Sequence, residues 1–302
     1  LEMVVIEGRY GEIKVDANRK GDQSSDIPEF IAIVKDLLKD LIPGEIIKSE
    51  SLERATLIAD DQPGVRVLPV IKPGNALGTG DLIVGVERSN PFTADLGADN
   101  HGNRYNGEYR IKSDLIWSSP FSFGDQVRLT ALQTNQQLWL GSLSYGALLN
   151  GDGLRSRISY SHTSYQLGKD YASLDKSGLA KVSSIGLSYP LLRSQASNIN
   201  LSGSFQYKKL LDEDGVNSTV EKKRSKSIPI NMHFDHRDQL LGGGVTYGLI
   251  GYTRGWLYLD DSLSQTDASG AQTLGRFGKY ELDISRLQAL PEKFSLFARI
   301  SK

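Results

Sequence analysis

The segment SNINLSGSFQY, residues 197–207, alternates between two kinds of side chain. Successive side chains of a β-strand point to opposite faces, so this period of two predicts a strand with one apolar and one polar face. We expect the apolar set to face outward and the polar set to face inward. The apolar set is Ile199, Leu201, Gly203, Phe205 and Tyr207, and the polar set is Asn200, Ser202, Ser204 and Gln206.

The same alternation recurs on both sides of this segment, from residue 92 to residue 300. It predicts about eleven strands, most of them near the roughly 9–11 residues that a tilted strand needs to cross a bilayer. The predicted strands are 92–99, 109–117, 127–133, 139–149, 152–163, 182–190, 197–207, 226–236, 243–254, 280–285 and 294–300.

The connectors between these strands alternate in length along most of the array. Short connectors lie at 118–122, 150–153, 191–196, 237–242 and 287–291, and long ones at 164–181, 208–225 and 255–276. Short turns on one rim and long loops on the other are typical of an antiparallel transmembrane β-barrel. We therefore expect the long connectors on the rim opposite residues 1–90. Aromatic residues near strand ends suit the interfacial girdles of such a barrel: Trp117, Phe121, Phe123, Trp139, Tyr189, Trp256 and Tyr258.

A soluble β-sandwich or soluble barrel also alternates, because its apolar face packs on a core. The pattern alone does not separate a face turned to lipid from a face turned to a core. Strand length and connector asymmetry favour lipid. Bacterial barrels have an even number of strands, so eleven strands predict an incomplete barrel.

Residues 1–90 carry the helical patterns of the chain. Apolar residues at helical spacing predict one helix that starts near Pro28 and stops before Pro43, and a second over 49–59 with Ser49 as its N-cap. Strands are predicted at 3–6, 13–15, 64–71 and 82–87. The order β-α-α-β-β describes a small α+β module at 1–90, followed by the barrel portion at 91–302.

Composition excludes several classes of protein. The 302 residues include 35 Lys and Arg against 36 Asp and Glu, a net charge of −1 that gives no general attraction for nucleic acid. No apolar run approaches the roughly 18–20 residues of a membrane-spanning helix, which excludes a helical membrane protein. Cys is absent, which excludes disulfides, thiolate zinc sites and Cys nucleophiles.

Catalytic and metal-binding patterns are weak. His233 and His236 fall on opposite faces of a predicted strand and do not converge on a metal. There is no Gly-x-Ser-x-Gly elbow for a nucleophile, and the glycine run 242–244 precedes a strand instead of a helix. We therefore predict that the protein is not an enzyme and that it has no catalytic residue, cofactor or metal site.

Charged residues at inward positions of the predicted strands form a candidate lumen, because charges are costly on the lipid face of a barrel. This hypothesis comprises Arg110, Lys112, Asp114, Arg155, Arg157, Glu281, Asp283 and Arg299. A conduit for an unfolded chain and a plain wet interior both fit such mixed charges. The basic run Lys222-Lys223-Arg224 with Lys226 is predicted in a long loop, either solvated or against lipopolysaccharide headgroups.

A second candidate site is a sheet edge of the module, which would pair with an extended partner segment through backbone hydrogen bonds. One candidate strand is 65–71, where Pro69 lacks an N–H. The other is the strand Leu82, Ile83, Val84, Gly85 and Val86, which we take as the docking edge. Ordinary packing is the alternative role for the side chains of Val67, Ile83 and Val86.

Several blocks of the sequence resemble a known family. The blocks LERA at 52–55, DQPGV at 61–65 and KPGNALGTGDLIV at 72–84 resemble the second POTRA domain of two-partner secretion transporters. These are the TpsB proteins, the haemolysin activator and adhesin exporter family. The block DNHGNRYNGEYR at 99–110 resembles the entry into that family's first barrel hairpin.

The resemblance implies an outer-membrane protein of Gram-negative bacteria that exports a large partner protein, an adhesin or haemolysin, without ATP. A periplasmic POTRA module would recognise the partner, the barrel would conduct it, and outer-membrane lipid with lipopolysaccharide would surround the barrel. Family members have two POTRA domains and about sixteen strands, so we expect a fragment that begins near the second POTRA domain. Two alternatives stay open: a POTRA-barrel protein that assembles or inserts outer-membrane proteins, and a soluble β-rich binding domain.

Overall fold

The computed structural model describes residues 7–16, 27–291 and 294–302. Its first part contains β1 (Arg9–Asp16), α1 (Ile27–Leu37), α2 (Ser49–Asp60), β2 (Val65–Pro73) and β3 (Thr79–Arg88). The order of these elements is the predicted β-α-α-β-β. The predicted strand at 3–6 lies outside the described residues.

Both helices differ from the prediction at one end. Ser49 is the first helical residue of α2 instead of its N-cap; the cap is Lys48, whose backbone is extended and whose side chain makes no capping hydrogen bond. The first helix ends at Leu37, well before Pro43. Leu38 and Leu41 follow it in a turn and are still buried, because the apolar side of the chain continues into the core after the helical hydrogen bonds end.

The three strands of the module form one sheet in the order β1-β3-β2. Val84 of β3 lies opposite Val15 of the parallel strand β1 and opposite Pro69 of the antiparallel strand β2. The docking-edge hypothesis for Leu82, Ile83, Val84, Gly85 and Val86 is therefore wrong, because both sides of β3 are already paired. Leu82 and Val84 are fully buried in the module core.

Beyond the module, eleven strands form a second sheet in which every strand pairs antiparallel with the next. Their number agrees with the prediction. Within the described residues the sheet does not close, and β4 and β14 form its two edges. The strands are β4 (Phe92–Asp99), β5 (Arg110–Ser118), β6 (Gln126–Thr134), β7 (Trp139–Leu148), β8 (Arg155–Gln166), β9 (Lys176–Arg193), β10 (Ser197–Asp214), β11 (Thr219–Asp238), β12 (Gly244–Leu259), β13 (Gly275–Ala289) and β14 (Ser295–Ser301).

The predicted long loops are largely wrong. Strands β9 to β11 have 18, 18 and 20 residues, so most of 208–225 is a hairpin with only 215–218 outside its strands. The segment 164–181 contains strand ends and a short 3₁₀ helix, and 255–276 contains the helix α3 (Asp261–Ser269). Backbone pairing continues past the end of the apolar alternation, because a ladder needs hydrogen bonds and not apolar side chains.

Three of the predicted short turns lie beside the module. The turns after β5, β7 and β9 contact α2 or one of the segments that follow α1 and α2. Consecutive strands run antiparallel, so the connectors after β8, β10 and β12 lie at the opposite ends of their strands. None of the described helices is long and apolar enough to cross a membrane.

Candidate functional site

The eleven-stranded sheet has two chemically different faces. Leu201 of β10 lies opposite Met232 of β11, and Phe205 lies opposite Ile185 of β9. The side chains of Leu201, Phe205 and Ile185 are exposed although they are apolar. Followed from strand to strand, the register extends this apolar face across the sheet, where it includes Leu96, Ile111, Leu115, Leu129, Leu143, Ile158, Leu187, Ile230, Ile250 and Ile300.

All of the charges predicted for a lumen share the other face, which we call the polar face. Asn200, Ser202, Ser204 and Gln206 of β10 define it, and the same strand-to-strand register reaches every member of the set. These residues are Arg110, Lys112, Asp114, Arg155, Arg157, Glu281, Asp283 and Arg299. The eight residues therefore share one face of the sheet, and that this face lines a lumen stays a prediction.

Many of these charges are paired on the polar face. Asp99 accepts hydrogen bonds from Arg110 at 2.7 Å and from Lys112 at 2.9 Å. Arg299 forms an ion pair with Asp283. Because opposite charges alternate at short distance, the polar face is hydrophilic without a strong field of one sign. A chain that carries both kinds of charge would meet neither strong attraction nor strong repulsion there.

Among the charged residues of the polar face, Arg155 differs in its contacts. Its guanidinium group donates to the side chain of Gln62 and, at 2.8 Å, to the carbonyl oxygen of Gly124. It therefore lies at the module end of the sheet and joins the two parts of the chain. Neighbouring Arg157 lines a shallow depression of the polar face together with Ser204 and Asn231.

The turn between β5 and β6 inserts a side chain into the module. Phe123 is 2 % exposed and belongs to the same buried cluster as Val34 and Leu82. Its ring meets the ring of Phe30 edge to face, with 5.5 Å between centroids. The sequence assigned Phe123 to an interfacial girdle, and this assignment is wrong because the module covers the ring.

Polar contacts surround this apolar insertion. Arg193 at the end of β9 pairs with Asp61, and Lys39 pairs at 2.9 Å with Asp152 in the turn after β7. The backbone N–H of Gln195 donates to the Glu53 carboxylate at 2.8 Å. The module is thus held by three successive turns of one rim, and we call this set of contacts the junction. Sequence reasoning missed the junction, since its residues follow no periodic pattern.

Strand β2 is one of the two edges of the module sheet; the other is β1, whose first residues bond to the segment 44–47. The N–H of Val67 donates to the Asp60 carboxylate at 2.7 Å, so it points away from β3. Gly64 and Gly74, at the two ends of the strand, bond instead to the β3 side. The backbone N–H and C=O groups of the odd-numbered residues of β2 therefore point away from β3. Those of the even-numbered residues form the ladder with β3.

Few outward donors remain on this edge. The N–H of Val65 donates to the Gln62 carbonyl oxygen, and Val67 is occupied by Asp60. Pro69 and Pro73 have no N–H and fall on the outward row, where proline costs no ladder bond. Within β2 this leaves Ile71 as the outward donor for a partner strand, beside the exposed apolar side chains of Leu68 and Val70.

No metal centre is built from the described residues, among which no group of three or more His, Asp or Glu side chains converges. His233 and His236 lie on opposite faces of β11, as the register predicts. His236 contacts the hydroxyl group of Ser197, and Asp235 accepts a hydrogen bond from Asn198. These contacts give His236 and Asp235 structural partners.

Residues 78–298 match the profile of the haemolysin secretion/activation protein family ShlB/FhaC/HecB. This match covers well over half of the chain. The chain belongs to this family. The segment includes part of the module sheet and nearly the whole eleven-stranded sheet.

Two curated relatives cover almost the whole chain. The heme/hemopexin transporter protein HuxB of Haemophilus influenzae is 24 % identical over 297 residues, which are 98 % of this chain and 51 % of the relative. The outer membrane transporter CdiB of Dickeya dadantii is 21 % identical over 308 residues, with the same two coverages. This member of the family therefore spans about half the length of the curated relatives that it matches.

Two solved structures of CdiB proteins share the fold of this chain. CdiB from Escherichia coli superposes with a TM-score of 0.72 at 17 % identity and covers 98 % of this chain and 55 % of that one. CdiB from Acinetobacter baumannii gives a TM-score of 0.65 at 16 % identity, with coverages of 98 % and 52 %. At such identities the likeness concerns the fold alone.

Proposed function

We propose that this chain is part of an outer-membrane transporter that exports a large partner protein by two-partner secretion. The two-faced sheet is the observation that carries the proposal. Its apolar face suits lipid and its polar face suits a wet conduit. Membership of the haemolysin secretion/activation family supports the same function, as do the names of the transporters HuxB and CdiB.

In this proposal the paired charges of the polar face line the conduit. Arg110, Lys112 and Asp283 would contact the unfolded partner or its water as it passes. The mixed signs avoid holding an acidic or a basic segment tightly. No nucleotide enters the mechanism, so net movement would come from folding of the partner on the far side, which removes it from the conduit.

The module would be a periplasmic POTRA domain, the second of its family's two, occupying residues 1–90, and the barrel portion would occupy 91–302. Its element order and its place on the short-turn rim support this assignment. It would recognise the partner first, with β2 as the docking edge in place of 82–86. Because β2 offers mainly carbonyl oxygens, the exposed side chains of Leu68 and Val70 would add to the contact.

A labelling experiment tests the orientation. Ser218 lies in the turn after β10, at the end of the sheet opposite the module, and Asn150 lies in a turn of the module rim. In intact cells, a membrane-impermeant thiol reagent should label the variant Ser218→Cys and not Asn150→Cys. The reverse pattern would contradict a periplasmic module.

A secretion experiment tests the function itself. The full transporter and the large secreted protein encoded beside it would be expressed together in a Gram-negative host. The secreted protein should reach the medium only when the transporter is present and should otherwise stay in the periplasm. Equal amounts in the medium with and without the transporter would refute the proposal.

A further inference from the structure

The far end of the apolar face carries a row of cations in register across neighbouring strands. Lys181 of β9 lies opposite Lys209 of β10, and Lys209 lies opposite Arg224 of β11. Adjacent strands are about 4.8 Å apart, so three positive charges follow one another side by side. Like charges directly opposite each other on a sheet are unfavourable unless an anion lies between them.

Among the described residues, these cations have no acidic partner of their own. Within the part of the chain that the structure describes, Lys181, Lys209 and Arg224 form no ion pair with any carboxylate, and Lys209 and Arg224 are exposed. The other face of the same hairpin behaves differently. There Lys223 pairs with Asp212 at 3.1 Å and with Glu221 at 3.5 Å. At this end of the hairpin, charge is balanced on the polar face and unbalanced on the apolar face.

Aromatic side chains lie directly beneath the cations. The next row towards the centre of the apolar face holds Tyr207, Lys226 and Trp256 in register. The ammonium group of Lys209 lies 5.4 Å from the centre of the Tyr207 ring. Tyr258 extends the cation row itself, in register with Arg224, and the ammonium group of Lys226 lies 5.8 Å from its ring. Below them begin the wholly apolar residues such as Phe205. From the centre of the apolar face towards its far end, the residues change from apolar to aromatic to cationic. A bilayer changes in the same order, from acyl chains through the interface to headgroups.

We propose that Lys181, Lys209 and Arg224 bind the phosphate groups of a lipid that carries phosphate monoesters on a sugar headgroup, the chemistry of lipid A in lipopolysaccharide. Lys226 completes the site from the aromatic row. The inference rests on the proposed membrane location of the sheet. The basic run at Lys222–Lys226 is then neither a solvated loop nor a random cluster, because its even positions are presented to lipid.

The test compares two matched triple variants of the full chain, refolded in detergent micelles. The first removes the outward row: Lys181→Gln, Lys209→Gln and Arg224→Gln. The second removes one inward cation from each of the same three strands: Lys176→Gln, Lys208→Gln and Lys223→Gln. Binding of diphosphorylated lipid A is measured by native mass spectrometry, beside a lipid with the same acyl chains and no phosphate.

Removing the outward row should weaken lipid A binding about 100-fold, or about fivefold for each cation. The inward triple variant should bind lipid A as tightly as the wild type does. The phosphate-free lipid should bind equally to the wild type and to both triple variants. Equal binding by wild type and the outward triple would overturn the proposal, and so would an equal loss in the inward triple.

Two controls separate a loss of lipid binding from a failure to fold or to enter a membrane. Far-UV circular dichroism checks folding, and if the outward triple does not fold, the single variants Lys209→Gln and Lys208→Gln carry the comparison between adjacent residues of one strand. Incorporation of the wild-type chain into lipid vesicles is measured separately. Failure to incorporate would count against the membrane location, whereas incorporation without phosphate dependence would count against the lipid site alone.

Discussion

Arg193 and Asp61 join the end of β9 to the residue after α2 through two parallel hydrogen bonds. The bonds run from Nε to Oδ2 at 2.6 Å and from Nη2 to Oδ1 at 2.8 Å, between residues 132 positions apart in the chain. A bidentate pair fixes orientation as well as distance. With Phe123 inserted nearby, the module and the rim of the sheet form one packed unit.

Phe123→Ala should release the module from the rim. The substitution leaves a cavity beside Phe30 and should cost about 3–5 kcal/mol of the free energy that holds the two parts together. Hydrogen exchange of the α1 amides measures the effect as a loss of protection. Phe121→Ala is the matched control, because Phe121 belongs to the same turn and is 70 % exposed. Similar exchange in both variants would show that the inserted Phe123 ring does not help to hold the module on the rim.

Leu201→Arg and Ser202→Arg test which face of the sheet meets lipid. If Leu201 lies near the bilayer midplane, its replacement by Arg should lower the free energy of unfolding by about 2–4 kcal/mol. The same change at the neighbouring Ser202 on the polar face should cost far less. Urea unfolding in lipid vesicles measures both. Equal costs would argue against lipid on the apolar face.

Ile71→Pro tests the docking edge of the module. Ile71 points outward on β2, so proline there should leave the sheet folded and remove the remaining donor for a partner strand. Loss of one hydrogen bond should weaken binding of the partner's N-terminal segment roughly 2- to 10-fold. Val70→Pro is the contrasting variant, because its N–H belongs to the ladder with β3 and its loss should unfold the module. Undiminished binding by a folded Ile71→Pro variant would exclude this edge.

The cap of α3 should respond to acid. The backbone N–H groups of Leu263 and then Lys222 bond to the Asp260 carboxylate and hold its pKa below the usual value. A lowered pKa means that this stabilisation is complete above the ordinary pKa of Asp, about 3.9, and is lost as pH falls through the lowered value. Protection of the Leu263 amide against hydrogen exchange should therefore fall in strong acid. In Asp260→Ala the amide should be poorly protected at every pH; an unchanged profile would refute the cap.

The number of strands in the large sheet was predictable, because alternation such as Leu201-Ser202 is imposed directly by the pleat. The full length of β10 and β11 was not predictable in the same way. Beyond Tyr207 the side chains are mostly polar on both faces, and backbone pairing with ion pairs such as Lys223–Asp212 holds the strands together. The central position of β3 also depends on distant pairing, since β1 joins it from almost 70 residues away.

The two faces of the candidate conduit followed from the sequence, whereas the junction did not. An aromatic residue in a short turn, such as Phe123, has the same local sequence whether it meets lipid or a neighbouring module. Arg193 and Asp61 likewise carry no periodic signal. Contacts between separate parts of a chain are decided by how the folded surfaces meet, and no local pattern records them.

The prolines of β2 also affect what happens when many copies of the chain are crowded before assembly. An edge strand with a full row of donors and acceptors recruits the edge of another copy, and repeated recruitment produces fibres. Pro69 and Pro73 interrupt the donor row of β2, and Asp60 occupies the donor of Val67. If a second copy of β2 paired with the first, most carbonyl oxygens of both edges would have no hydrogen-bond donor. This edge of the module is thereby protected from polymerising with the same edge of another copy.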